Sequence, residues 1–358
     1  MVSRAISLVM ALAAAGWAQS LDDVVFRQNF QGDTGTWMAM GEGAKVAPAA
    51  DAHGLVFTYE LAPKMFSGVV SPAPSDLAKA QRIRFRVKTD HATAVGLILS
   101  EKKPAGGNYS AWFWSPANTW QWIEFTPADF TLNDGANDPK DADNKLDLDE
   151  VEGMGLFDLG QFFGRLGSSG DLPLSAHVDE GQHSITVESF ELLNSPEAAS
   201  SGMRIGTLDR NFLDWATPGG MNLKLTRDNP LKGPALEASY EQTEGQFQLL
   251  VRRMAGVELS KAKRLVFDIA SDKEVTLMVS VEMNKAEGGQ GQRFTLPVFP
   301  PGGKEVFHVD VSLADFKGDG TFDPSRWRTL AILDISTASG GTPGPNTIWI
   351  GNLEATEK

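Results

Sequence analysis

Tryptophans crowded into two short segments are the residues of this chain best suited to holding a ligand. In Tyr109-Ser-Ala-Trp-Phe-Trp114, a period of two sets Trp112 and Trp114 on one face and Phe113 on the other. In Trp120-Gln-Trp-Ile-Glu-Phe125, Trp120, Trp122 and Glu124 oppose Ile123 and Phe125. A pyranose ring has an apolar face of C–H groups and a rim of hydroxyls. An indole stacks on the face, while Glu, Arg or Asn bonds the rim. Each neutral hydrogen bond nets only about 0.5–1.5 kcal/mol, so useful affinity needs several contacts. The expected ligand contacts are therefore Trp112, Trp114, Trp122 and Glu124. Arg84 and Arg86 join them, because in Arg82-Ile-Arg-Phe-Arg-Val-Lys88 the basic residues alternate outward from Ile83, Phe85 and Val87. The competing reading is that the tryptophans fill the core, where truncation to alanine costs about 3–5 kcal/mol.

Other chemistry is sparse. An acidic loop carries Asp134, Asp138, Asp141, Asp143, Asp147, Asp149 and Glu150, a composition calcium favours. An EF-hand register starting at Asp141 fails at Lys145, and at Leu146 where glycine is required, so a solvated loop is the expectation. His53, His91, His177, His183 and His308 show no zinc-site spacing. There is no Gly-x-Ser-x-Gly elbow and no phosphate loop. Asp129 and Asp315 follow strands and precede phenylalanines, as turn caps do. The chain reads as non-catalytic and as needing no cofactor.

The elements that would position these residues are strands, and they occur twice. Leu77-Ala-Lys-Ala-Gln-Arg-Ile-Arg-Phe-Arg-Val-Lys-Thr-Asp90 returns as Leu259-Ser-Lys-Ala-Lys-Arg-Leu-Val-Phe-Asp-Ile-Ala-Ser-Asp272. Tyr59 pairs with Tyr240, Ile123–Phe130 with Val309–Phe316, Leu156–Leu159 with Ile332–Ile335, and Ser184–Glu191 with Thr347–Glu354. A repeat of that length is a duplicated domain rather than a solenoid unit. Strands are expected at 55–61, 82–88, 95–100, 109–114, 120–125, 155–159 and 185–192, with helical turns only at 74–79 and 257–262. Many short strands with turn signals give an all-β fold of two tandem β-sandwich (jelly-roll) domains. The expected boundaries are 21–194 and 204–356, joined by a small, polar, proline-broken linker at 195–203. At the positions of Trp122 and Glu124 the second copy has His308 and Asp310, so binding is expected in the first domain.

The first residues, Met1-Val-Ser-Arg4, precede an apolar run from Ala5 to Ala15 and Gly16-Trp17-Ala18, which reads as a signal peptide cut after Ala18. The run is shorter than the roughly 20 apolar residues a membrane span needs. Export to the periplasm or the cell exterior is expected. Zero cysteines exclude disulfides and thiolate chemistry. A net charge of −14 disfavours nucleic acid as a partner.

These residues carry a resemblance. Phe30 and Trp37, the strand Ile83-Arg-Phe-Arg-Val87, Trp120-x-x-Ile-Glu-Phe-x-x-x-Asp-Phe130 and Ile185-x-Val-x-x-Phe-Glu-Leu192 resemble the galactose-binding-like β-jelly-roll superfamily. Within it the likeness is to carbohydrate-binding modules and to the domain named for complex I intermediate-associated protein 30. The resemblance implies Trp120 in the core, a polysaccharide or oligosaccharide partner on a sheet face, and a structural calcium ion away from that face, with Asp33 and Glu188 as its carboxylates. The alternative is an extracytoplasmic scaffold or assembly factor that holds a protein partner through the same folds. A glycan-active enzyme is the third and weakest reading.

Overall fold

The computed structural model describes residues 23–358 apart from 52, 63–65, 134, 136, 163–173, 175–178, 197–204, 206–212, 219 and 285–290. The signal-peptide segment, most of the linker, Asp134 and His177 lie outside the described residues.

The first half contributes β1 (Val24–Gln28), β2 (Met38–Met40), β3 (Lys45–Pro48), β4 (Leu55–Leu61), β5 (Gly68–Pro72), β6 (Arg82–Thr89), β7 (Thr93–Glu101), β8 (Asn108–Ser115), β9 (Gln121–Phe125), β10 (Thr131–Leu132), β11 (Val151–Asp158) and β12 (Gly181–Leu193). They form two sheets, ordered β3-β4-β12-β6-β9 with β1 on β12, and β10-β8-β7-β11-β5-β2. Between them Leu55, Phe57, Phe85, Val87, Leu97, Phe113, Ile123 and Phe125 make the core.

The second half contributes β13 (Trp215–Ala216), β14 (Met221–Thr226), β15 (Ala235–Gln242), β16 (Gln248–Arg253), β17 (Arg264–Ser271), β18 (Leu277–Met283), β19 (Arg293–Val298), β20 (Phe307–Ser312), β21 (Lys317–Gly318), β22 (Trp327–Asp334) and β23 (Gly344–Thr356). Its sheets run β14-β15-β23-β17-β20 and β13-β16-β22-β18-β19-β21. The order β4-β12-β6-β9 thus recurs as β15-β23-β17-β20, the topological form of the sequence repeat. A short helical turn is present at Leu77–Lys79. Its counterpart at 257–262 is turn and coil instead.

Each core is closed by a tyrosine–aspartate pair at matching positions. Tyr59 donates to Asp158 (2.6 Å), and Tyr240 to Asp334 (2.5 Å). Asp158 also accepts from Thr93 Oγ1 and the Gly160 amide, and its Oδ2 lies 3.0 Å from His91 Nε2. Burial pushes the Asp158 carboxyl up, but His91, Thr93 and Tyr59 outweigh it and hold it below the ordinary carboxylate range. Burial, then the neighbouring Asp158 charge, pushes the Tyr59 phenol well above its usual value, so it remains a donor.

The two sandwiches touch through the outward face of the β8-containing sheet. Trp114 and Ala94 are buried in one cluster with Ile205, Leu213 and Trp215 of the second half. The Trp114 amide donates to the Leu213 carbonyl (2.7 Å), and Trp112 Nε1 donates to the Asp214 carbonyl (3.1 Å).

Candidate functional site

The six sequence-predicted ligand contacts divide between two sheets. Arg84, Arg86, Trp122 and Glu124 share the outward face of the β6–β9 pair, with Arg84 opposite Glu124 and Arg86 opposite Trp122. There they are occupied with one another. Arg84 pairs with Glu191, Arg86 with Glu188 (2.5 Å) and Arg82 with Glu124 (2.6 Å). The Arg84 guanidinium sits 5.1 Å from the Trp122 ring, while Arg86 and Lys88 cover Trp120. Trp120 is therefore half-buried on the outer face, not in the core, because it shares the phase of Trp122 rather than that of Ile123. Trp122 keeps 37 % exposure, but its neighbours form a charge-paired surface rather than a cleft.

Trp112 and Trp114 project from the other sheet, outward as the burial of Phe113 requires. Trp114 is only 3 % exposed, capped by the second sandwich, and presents no face to a ligand. That corrects the expectation for Trp114: a strand pattern gives the side of the sheet but not what covers it.

Trp112 instead borders a groove of about 500 Å³ on this face, which the sequence did not reveal as a unit. Strand register explains its shape. Trp112 on β8, Gly96 on β7 and Phe157 on β11 lie in one row, so two aromatics flank a glycine. The next row is Ser110, Ile98 and Gly155, and the next Asn108, Ser100 and Gly153. Phe157 lies flat because its neighbours lack side chains. A Cβ on Gly68 would sit 2.3 Å from its ring, and one on Gly155 2.8 Å. Phe66 stacks on Phe157 (centroids 5.0 Å, 14°), and Phe162 meets Phe66 edge-on (5.2 Å). Phe162 is 39 % exposed, an aromatic surface open to solvent. Asn108, Ser110, Asn133 and Asp138 supply polar groups around these rings. From the second sandwich come Arg253 and Arg328. The Arg253 guanidinium lies 4.3 Å from the Trp112 ring and donates to the Ser110 carbonyl.

The carboxylates that the resemblance implied for calcium both have partners within the chain. Glu188 is ion-paired with Arg86, and Asp33 Oδ1 accepts from the Gly35 amide in its own turn. Among the described residues they do not gather with a third ligand. In the acidic loop, Asp138 accepts from the Gly135 amide, Asp143 from the Lys145 amide, and Asp141 from Tyr109. Asp129 caps its turn through the Thr126 amide and hydroxyl.

The fold is a tandem β-jelly roll. Solved carbohydrate-binding modules are among the structures it is similar to. One is a family 11 module from Clostridium thermocellum in complex with a β-1,3-1,4-mixed-linked tetrasaccharide, at 18 % identity, covering 49 % of this chain and 97 % of that one, with a TM-score of 0.36. Another is the tandem of two family 22 modules from Paenibacillus barcinonensis Xyn10C, at 12 % identity, covering 94 % and 98 %, with a TM-score of 0.32. A third is a family 30 module from Clostridium thermocellum, at 19 % identity, covering 39 % and 87 %, with a TM-score of 0.32. No family model matches the sequence, and no curated protein matches it. Among the described residues no helix is long and apolar enough to cross a membrane.

Proposed function

We propose that this is an exported, non-catalytic carbohydrate-binding protein whose ligand lies in the groove beside β8, β7 and β11. The observation that carries this reading is the exposed Phe162 ring, backed by Phe66 and Phe157, at a groove that Trp112 also lines. Leu159 packs over Gly96 and Phe157 is buried under Phe66, so the exposed Phe162 ring is the apolar face offered to sugar C–H groups, and Asn108, Ser110, Asn133 and Asp138 offer partners for hydroxyls. Ligand sites of this kind are mostly apolar with a few placed polar groups. Trp112, Phe157, Asn108 and Ser110 are held by strands, which limits the ordering entropy at those positions. Export rests on the leader pattern of residues 1–18.

The test uses the whole chain on a glycan array, followed by calorimetry on whatever binds. Phe162→Ala is expected to weaken binding roughly 30-fold, the effect of losing about 2 kcal/mol from an aromatic anchor. Its cost to stability is expected to be about 1 kcal/mol, because the residue is 39 % exposed and its ring meets Phe66 edge-on. Absence of binding to any glycan would overturn the reading. Binding indifferent to Phe162→Ala would move the ligand off this groove.

A further inference from the structure

At one end of the first sandwich, β12 and the turn after β6 bring together three side chains that lie far apart in sequence. His91 Nδ1 is 2.9 Å from Asp90 Oδ1, and His183 Nδ1 is 3.2 Å from the same oxygen. The two imidazole centroids are 3.8 Å apart. Among the described residues this is the one group of three or more metal-ligating side chains that converges.

The proton positions decide what such a cluster needs. His183 Nε2 lies 2.6 Å from the Asp179 carbonyl oxygen, which can only accept, so this nitrogen carries a hydrogen. His91 Nε2 lies 3.0 Å from the fully buried carboxylate of Asp158. Both Nδ1 atoms converge on one carboxylate oxygen of Asp90, and His91 stands between that carboxylate and Asp158. The three atoms are held together either by protons on the imidazoles or by one metal ion bound to all three, and they lie close enough to share a single ion.

We propose that Asp90, His91 and His183 bind a divalent cation of the zinc class. Two imidazoles and one carboxylate suit zinc, cobalt or nickel rather than calcium, which takes oxygen ligands. A water would complete a four-coordinate site. The outer partners are those metal-bound histidines use: a carboxylate behind His91 and a backbone carbonyl behind His183. Asp90 is 37 % exposed, which gives the ion a way in.

The second copy sharpens the assignment, because it closes the same corner without imidazole. Lys273 stands where the first copy has His91, and Asn346 where it has His183. Asn346 is paired opposite Tyr240 as His183 is opposite Tyr59. Asn346 donates to Tyr240 and accepts from Ser271 and the Lys273 amide, while Lys304 lies 3.4 Å from Asp272. There an amide and one lysine occupy the corner that two imidazoles and a carboxylate occupy in the first copy.

The experiment titrates cobalt(II) into the metal-stripped full-length chain at pH 7.5 and reads visible absorption. The expected result is one equivalent giving the intense bands of a four-coordinate ion, displaced by zinc and unaffected by calcium. His183→Asn, which installs the second copy's residue, and Asp90→Asn, at a partly exposed position, are each expected to weaken binding by about 100-fold or more. His53→Ala and His308→Ala should leave it unchanged. A wild-type chain without four-coordinate bands would overturn the proposal, as would bands that survive in folded His183→Asn or Asp90→Asn. The site is separate from the groove, so glycan binding and metal binding succeed or fail independently.

Discussion

Asp158→Ala is expected to cost about 3–5 kcal/mol of stability, the loss that follows when one partner of a buried charged pair is removed. Asp158 has no solvent exposure; Tyr59, Thr93 and the Gly160 amide donate to it, and His91 Nε2 lies 3.0 Å away. Alanine would leave these groups in a dry interior, and each unsatisfied donor costs about 1–3 kcal/mol. Asp158→Asn is expected to lose less, since it keeps the volume and one acceptor while turning the other towards donors. The urea midpoint should fall with the slope unchanged, measured with a chelator present so that bound metal does not enter. A loss below about 1 kcal/mol would mean that the network is not closed in solution. The matching Asp334→Ala in the second sandwich should be milder. There the partners are Tyr240, Gln242 and Ser336, and no imidazole is left behind.

Trp114→Ala and Trp122→Ala are expected to differ sharply although both residues are outward-facing tryptophans of the first sandwich. Trp114 is buried among Leu213, Trp215 and Ala94, so its truncation leaves a cavity between the sandwiches and should cost about 3–5 kcal/mol. Trp122 is 37 % exposed and loses mainly its contact with Arg84, worth about 0.5–1 kcal/mol at an exposed site. Thermal unfolding of the two variants separates them directly. Equal losses would show that the sandwiches do not pack through Trp114 in solution. Glycan affinity should survive Trp122→Ala, because Trp122 and the groove lie on different sheets.

The strands and their pairing order were legible because buried faces impose alternation. Ile83, Phe85 and Val87 point in, and Leu265, Phe267 and Ile269 repeat them. The two copies agreed wherever a core required it, so the duplication announced the fold. The groove was harder to read. Its key residues, Phe157 and Phe66, look like core phenylalanines in a string, and only register shows Phe157 lying beside Gly96 with Gly68 and Gly155 beneath its ring. Phe162 follows β11 in a short helical segment with no periodic signal in the sequence. The histidine cluster was likewise hidden, since His91 and His183 meet only because β12 pairs with β6. Trp112, Trp114 and Trp122 were recognised as outward, but alternation carries no information about which outer face a second sandwich will cover.

That covering has a consequence for how the chain can be divided. Arg253 and Arg328 form part of the groove although they belong to the second sandwich, and Trp114 is sealed by that half. Cutting the chain between the two repeats would remove two cationic side chains from the groove and bare an apolar area around Trp114 and Ala94, a surface prone to self-association. The duplicated halves have ceased to be interchangeable modules. For expression and engineering, the packing makes the pair the unit to keep together.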